Sequence, residues 1–302
     1  MMAKQETMNH SLALMIAGKL KDYMLLVKFT LSFTVVFSSV VSYLLAPGIS
    51  FNFLSVLLLF VGGFLITGAA NAINQIAEKD TDAMMKRTAK RPVASGRMSV
   101  QEASTFAAIT AVLGIWLIGY WFNWNAALTG AFSLFLYGFV YTPMQKVHSV
   151  SVIVGAIPGA LPCLIGWVAA TNEFSLGGWA LFAIQFLWQF PHFWAIAWVA
   201  HKDYTRAGFK LMPSVKGPTK YSAIQAVIYA LLMLPFGVIP YFIQMSGIIS
   251  MWIVLAANLF MLFQCIRLYR EMEVKAARRV MFSSYIYLPV VLLSLLADKV
   301  PT

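Results

Sequence analysis

LLLFVGGFLITGAANAINQIAEKDTDAMMKRTAKRP, residues 57–92, runs without interruption from an apolar stretch into amides and carboxylates and then into a basic cluster. A bilayer-spanning helix needs about 20 mainly apolar residues, and polar side chains at its end are costly enough to be usually functional. Continuous apolarity also argues against a β-barrel, whose strands alternate over about 10 residues. This stretch is therefore read as the inner end of a transmembrane helix carrying a polar site.

Working outward, the whole chain has the same character. It has 302 residues, is 60% hydrophobic and only 11% charged, with a mean hydropathy of +0.77. That excludes an ordinary soluble domain of this length. The expectation is an all-α, polytopic membrane bundle of nine transmembrane helices, over residues 23–46, 51–77, 101–121, 124–141, 149–170, 176–200, 221–245, 247–268 and 280–298. Residues 1–22 form a cytoplasmic N-terminal segment and 23–302 a single intramembrane domain, with cytoplasmic loops at about 78–100 and 201–220.

The 22 Lys and Arg residues orient this bundle, because positive charge gathers on the cytoplasmic side of short loops. Apart from Lys28, inside the first helix, they fall in the N-terminal segment and in alternate connections, and only Lys299 lies at the far end. The N-terminus is thus expected inside and the C-terminus outside. The net charge of +11 is accounted for by this asymmetry and by contact with anionic lipid, not by nucleic acid. Residues 1–22 lack the apolar core of a cleavable signal peptide, so the first helix is its own insertion signal. Cys163 and Cys265 fall inside spans and are not spaced as a metal pair, which leaves packing. Function is expected on the cytoplasmic face, where the connections after the second and sixth helices are long and suggest two similar halves.

On a helix, Asn74, Glu78 and Asp82 are spaced four apart and share one face. Three oxygen ligands so aligned suit Mg2+, which binds one or two carboxylates while bridging to substrate phosphates and can neutralise a diphosphate leaving group. The competing reading is a mixed-charge helix end making i to i+4 pairs. Lys86, Arg87, Lys90 and Arg91 can meet phosphate oxygens, Arg bidentately, or serve only as topogenic charge. Lys28, about one turn inside the first helix, either snorkels to headgroups or adds its charge to the same diphosphate. His192, after Pro191, and His201 have a structural reading as hydrogen-bonded helix histidines.

The pattern from Asn74 to Asp82, followed by KRT and RP, resembles the first aspartate-rich motif of the UbiA-type intramembrane prenyltransferases. YTPMQK at 141–146, GAIPGALPCLIGW at 155–167, FLWQFPHFWAIAW at 186–198 and HKDYTRAGFKLMP at 201–213 are similar to the protoheme IX farnesyltransferases, or haem O synthases. That resemblance implies transfer of the farnesyl group of farnesyl diphosphate to a vinyl group of haem B, giving haem O and diphosphate. It further implies Mg2+ held by Asn74, Glu78, Asp82 and Asp203, a diphosphate met by Lys28, Arg87, Arg91 and Lys146, and haem contact by His192 and His201. It also implies a bacterial cytoplasmic membrane, a site facing the cytoplasm, and contact with a haem A synthase or terminal-oxidase assembly. The chain departs from the wider pattern in its second loop, where Ala200, His201, Lys202, Asp203 and Tyr204 replace a fuller aspartate set, and in Gln145, which leaves Lys146 without a basic neighbour. Two alternatives stay open at this point: a related enzyme using a quinone precursor or other acceptor, and a transporter.

Overall fold

The computed structural model of the chain describes residues 2–214 and 216–301, with side chains from residue 14 onward. In a medium without water each backbone polar group needs an internal partner, and the apolar runs meet that need as helices. In chain order they are α1 (Met2–Leu26), α2 (Phe29–Leu45), α3 (Phe53–Ala77), α4 (Lys79–Met84), α5 (Val100–Trp121) and α6 (Trp124–Phe135). A π-helical stretch (Leu136–Tyr141) leads to α7 (Thr142–Met144), then α8 (Ser151–Thr171), α9 (Leu176–Val199) and α10 (His201–Arg206). The chain closes with α11 (Lys220–Phe242), α12 (Ile248–Glu271) and α13 (Val274–Ala297). Side chains cap several starts, with Asn52 accepting from the Ser55 N–H, Ser99 from Glu102 and Asn123 from Ala126. An isolated bridge between Ser246 and Lys299 is the β-pairing among the described residues.

Seven helices are long and apolar enough to cross a membrane, and an eighth candidate is the pair Leu14–Leu26 and Phe29–Leu45, bent by 52°. The all-α membrane bundle is thus observed. α9, expected as a span, is 24 residues long but falls outside this set, because Gln185, Gln189, Pro191 and His192 lower its mean hydropathy. The expected first helix, 23–46, is corrected: it is broken at Val27 and Lys28, for a reason given with the site. The last span also begins earlier than expected, at Val274.

α8 is the axis, buried over 72% of its apolar window where no other span exceeds 39%. It contacts α2, α6 and α9; α3 lies along α5, α11 along α12, and α12 along α13, which returns to α9 and α2. Close approach of α2 and α8 requires Gly166, where a Cβ would collide with the Ser39 carbonyl. Large apolar side chains such as Phe132, Trp116, Trp252 and Ile286 face outward, which a lipid surround makes favourable. The polar side chains concentrate where α3, α7 and the start of α2 meet.

Candidate functional site

The site begins with the break in the first span. Val27 and Lys28 leave the helix, and Lys28 takes left-handed angles, φ 49 and ψ 59, uncommon for a residue with a Cβ. The carbonyls so freed at the end of α1 are answered from α3: Gln75 Nε2 donates to the Leu25 and Leu26 oxygens at 2.9 Å. Asn71 Nδ2 donates to the Val27 oxygen at 3.1 Å and to Ser32 Oγ at 3.0 Å. Buried carbonyls without partners are rare for energetic reasons, so these two amides explain why the helix can stop there. Asn71, read from sequence as a polar residue with a function, is part of this clamp.

The break brings the Lys28 ammonium within 2.8 Å of Asn74 Oδ1. The orientation of that amide is fixed by a relay: Asn74 Nδ2 donates to Thr142 Oγ1 at 3.2 Å, and the Thr142 hydroxyl donates to the Tyr137 oxygen at 2.7 Å. The π-helical stretch sets this up, because the Thr142 N–H also bonds Tyr137, five residues back, and Pro143 has no N–H to continue an α-helix. Asn74 therefore presents its oxygen, not its nitrogen, to the site.

Glu78 and Asp82 do not lie on one unbroken helix as expected. α3 ends at Ala77 and Glu78 is a hinge with φ −97 and ψ 8. The expected common face survives, since the Glu78 N–H still bonds Asn74 at 2.9 Å and the Asp82 N–H bonds Glu78 at 2.7 Å. Both carboxylates are buried, Asp82 to 0% exposure. Arg91 Nη1 donates to Asp82 Oδ2 at 2.6 Å and stands 3.7 Å from Glu78 Oε2. Gln145 Nε2 donates to Glu78 Oε1 at 2.8 Å. Burial pushes the Glu78 carboxyl above the usual carboxylate range, Lys28 opposes this, and the Asp82 charge adds to it. Two acids so close in a low dielectric call for further positive charge.

Asp82 Oδ1 supplies the test of whether a cation fits, because it is buried, accepts only, and has no hydrogen-bond partner. With Asn74 Oδ1 and Glu78 it makes a hard-oxygen donor set, which is the Mg2+ preference. Among the described residues no three His, Cys, Asp or Glu side chains converge as a metal site, so this set depends on the amide oxygen and on substrate oxygens to be complete.

Arg87 reaches the cluster's edge, donating to the Tyr204 hydroxyl at 3.2 Å and lying 5.8 Å above its ring. Burial raises the Tyr204 phenol, with Arg87 opposing, so it stays protonated. The remaining expected residues are not brought into direct contact with the carboxylates. Asp203, on α10, is half-buried, and Lys146 is exposed. His201 packs against Gly217. His192 lies within α9, its Nδ1 2.7 Å from Ser284 Oγ. The α9–α10 break at Ala200 separates the two histidines.

Sequence reasoning missed Gln145, Thr142 and Tyr204. Gln145 was read as the loss of a basic residue, whereas a neutral donor beside a buried carboxylate satisfies it without adding charge. The TP step at Thr142 and Pro143 was a usable signal for an irregular helix. Nothing local marked Tyr204, 117 residues from its Arg87 partner.

The UbiA prenyltransferase family matches residues 35–287. The chain is 44% identical over 284 residues to a protoheme IX farnesyltransferase of Cytophaga hutchinsonii, covering 94% of this chain and 99% of that one. It is 43% identical to the protoheme IX farnesyltransferase of Flavobacterium psychrophilum, covering 92% and 94%. In fold it is similar to a digeranylgeranylglyceryl phosphate synthase, with TM-score 0.77 at 21% identity, covering 93% of this chain and 98% of that one. A UbiA homolog from Archaeoglobus fulgidus bound to GPP and Mg2+ gives TM-score 0.69 at 16% identity, covering 91% and 99%. The chain belongs to the UbiA prenyltransferase family and is an integral membrane prenyltransferase grouped with the protoheme IX farnesyltransferases.

Proposed function

We propose that this member of the UbiA prenyltransferase family transfers the farnesyl group of farnesyl diphosphate to a vinyl group of haem B, releasing diphosphate and yielding the hydroxyethylfarnesyl haem, haem O. The observation that carries the chemistry is the buried cluster of Asn74, Glu78 and Asp82 with the orphaned Asp82 Oδ1. The similarity to two protoheme IX farnesyltransferases over nearly the whole chain supports haem as acceptor.

Asn74, Glu78 and Asp82 would hold Mg2+, with Asp203, set back on the second loop, adding negative charge at longer range. When bound, Mg2+ supplies charge neutralisation to the leaving diphosphate. Lys28, Arg87 and Arg91 surround the same mouth and bind phosphate oxygens, and Lys146 adds charge at its outer edge. Cationic donors poised where negative charge develops stabilise the transition state without reorganising. The allylic carbon–oxygen bond then breaks in an apolar chamber that excludes water. The haem vinyl attacks the farnesyl cation and a water quenches the product cation, releasing a proton. His192 contacts the haem; His201, packed into the second loop, acts at the rim.

The full topology we propose has nine spans, α9 among them, with Gln185 and Gln189 buried in the bundle. The N-terminus is cytoplasmic, the C-terminus outside, and the enzyme sits in a bacterial inner membrane with residues 23–302 as one domain. We assign the handover of haem O to contact with a haem A synthase or terminal-oxidase assembly.

The test is incubation of purified protein with haem B, farnesyl diphosphate and Mg2+, with products read by mass spectrometry. Farnesylated, hydrated haem is expected, and chelation of Mg2+ should abolish it. Turnover of a different acceptor with none of haem B would overturn the assignment of acceptor.

A further inference from the structure

The His192 ring is held from three sides. Its face stacks on Trp188, with centroids 4.8 Å apart and planes at 20°, and Tyr285 meets it edge-on at 5.4 Å. Its Nδ1 lies 2.7 Å from Ser284 Oγ. Distance alone does not say which of these two atoms carries the proton. A third contact does: Ser284 Oγ donates to the Met281 carbonyl at 2.6 Å. A hydroxyl has one proton. If it pointed at Nδ1, two acceptor oxygens would face each other across 2.6 Å. The proton therefore goes to Met281, His192 donates its Nδ1–H to Ser284, and the Nε2 lone pair is free.

This arrangement is built rather than incidental. Ser284 is fully buried, and its carbonyl accepts from Trp188 Nε1 at 3.0 Å. One residue of α13 thus aims both the imidazole and the ring stacked on it. α9 continues through Ala200 into α10, whose Tyr204 meets Arg87, so His192 lies on the helix that leads to the diphosphate mouth. An imidazole that donates its other N–H is held in one tautomer and becomes a better metal ligand.

We propose that Ser284 is a positioning residue for the acceptor: it fixes His192 with Nε2 unprotonated as the axial ligand to the haem iron, and so sets where the vinyl group meets the farnesyl cation. The inference rests on haem B being the acceptor.

The experiment titrates ferric haem B into the full-length detergent-solubilised protein and follows the Soret band, then records the iron–histidine stretch of the ferrous form by resonance Raman. Wild type should show a nitrogen-ligated haem and His192→Ala should lose that signature. Ser284→Ala should keep the fold, since the Trp188 bond goes to the backbone of residue 284. It should also weaken haem affinity by roughly 10- to 100-fold, lower the iron–histidine frequency, and raise KM for haem but not for farnesyl diphosphate. Ser284→Thr, which keeps the hydroxyl, should restore all three. A Ser284→Ala protein with wild-type affinity and frequency overturns the proposal and leaves the haem reading intact, as does wild-type turnover of haem B without any histidine signature. Failure of the wild type both to bind haem B and to farnesylate it removes the reading beneath as well.

Discussion

At Glu78 the backbone of α3 turns with φ −97 and ψ 8 and resumes as the six-residue α4; at Ala200 the backbone of α9 turns with φ −96 and ψ 15 and resumes as the six-residue α10. The hinge N–H bonds four residues back in both, to Asn74 and to Ile196, and the residue four further on bonds the hinge carbonyl, Asp82 in one and Tyr204 in the other. The two halves therefore share a backbone device. Where the first carries Asn74, Glu78 and Asp82, the second carries Ile196, Ala200 and Tyr204. The first buries its acids around Arg91; the second has no buried residue in α10 and offers Arg87 a phenol. The same hinge can thus keep its backbone geometry while one copy carries buried acids and the other a phenol. Asp203 falls one position short of the register that Asp82 occupies.

Four substitutions break or sharpen this contrast, all read as haem farnesylation by purified protein. Asp82→Asn keeps the shape and removes the charge on the side with the acids, and a loss on the order of 1000-fold in kcat is expected. Lys28→Met removes one charged donor beside the same cluster and should cost about 10- to 100-fold in kcat/KM for farnesyl diphosphate. Tyr204→Phe removes the hydroxyl that meets Arg87 on the opposite wall; a loss of up to about 10-fold is expected. Asp203→Asn touches a half-buried carboxylate without a partner, and a loss of no more than ~5-fold is expected. If Asp203→Asn is as damaging as Asp82→Asn, the two halves are chemically equal and the contrast fails.

The all-helical architecture and most of its apolar spans were legible because lipid forces long apolar runs into helices. The common face of Asn74, Glu78 and Asp82 was legible because helical spacing survives the hinge through its own backbone bonds, and Arg91 because it stands in the basic cluster that follows. What stayed hidden depends on partners far along the chain. The break before Lys28 carries no Gly or Pro; it is permitted by Asn71 and Gln75, whose role shows only when α3 lies beside α1. Ser284 and His192 are 92 residues apart, and no local pattern pairs them. Gln145 was visible but misvalued, since a single sequence does not tell a lost charge from a required neutral donor.

The left-handed backbone at Lys28 has a consequence for engineering. Glycine suits those angles better than any residue with a side chain, so Lys28→Gly should hold or raise the melting temperature while kcat/KM for farnesyl diphosphate falls as in Lys28→Met, by about 10- to 100-fold. Such a variant would be a stable, slowed enzyme in which the weight of one buried cation is read apart from the fold.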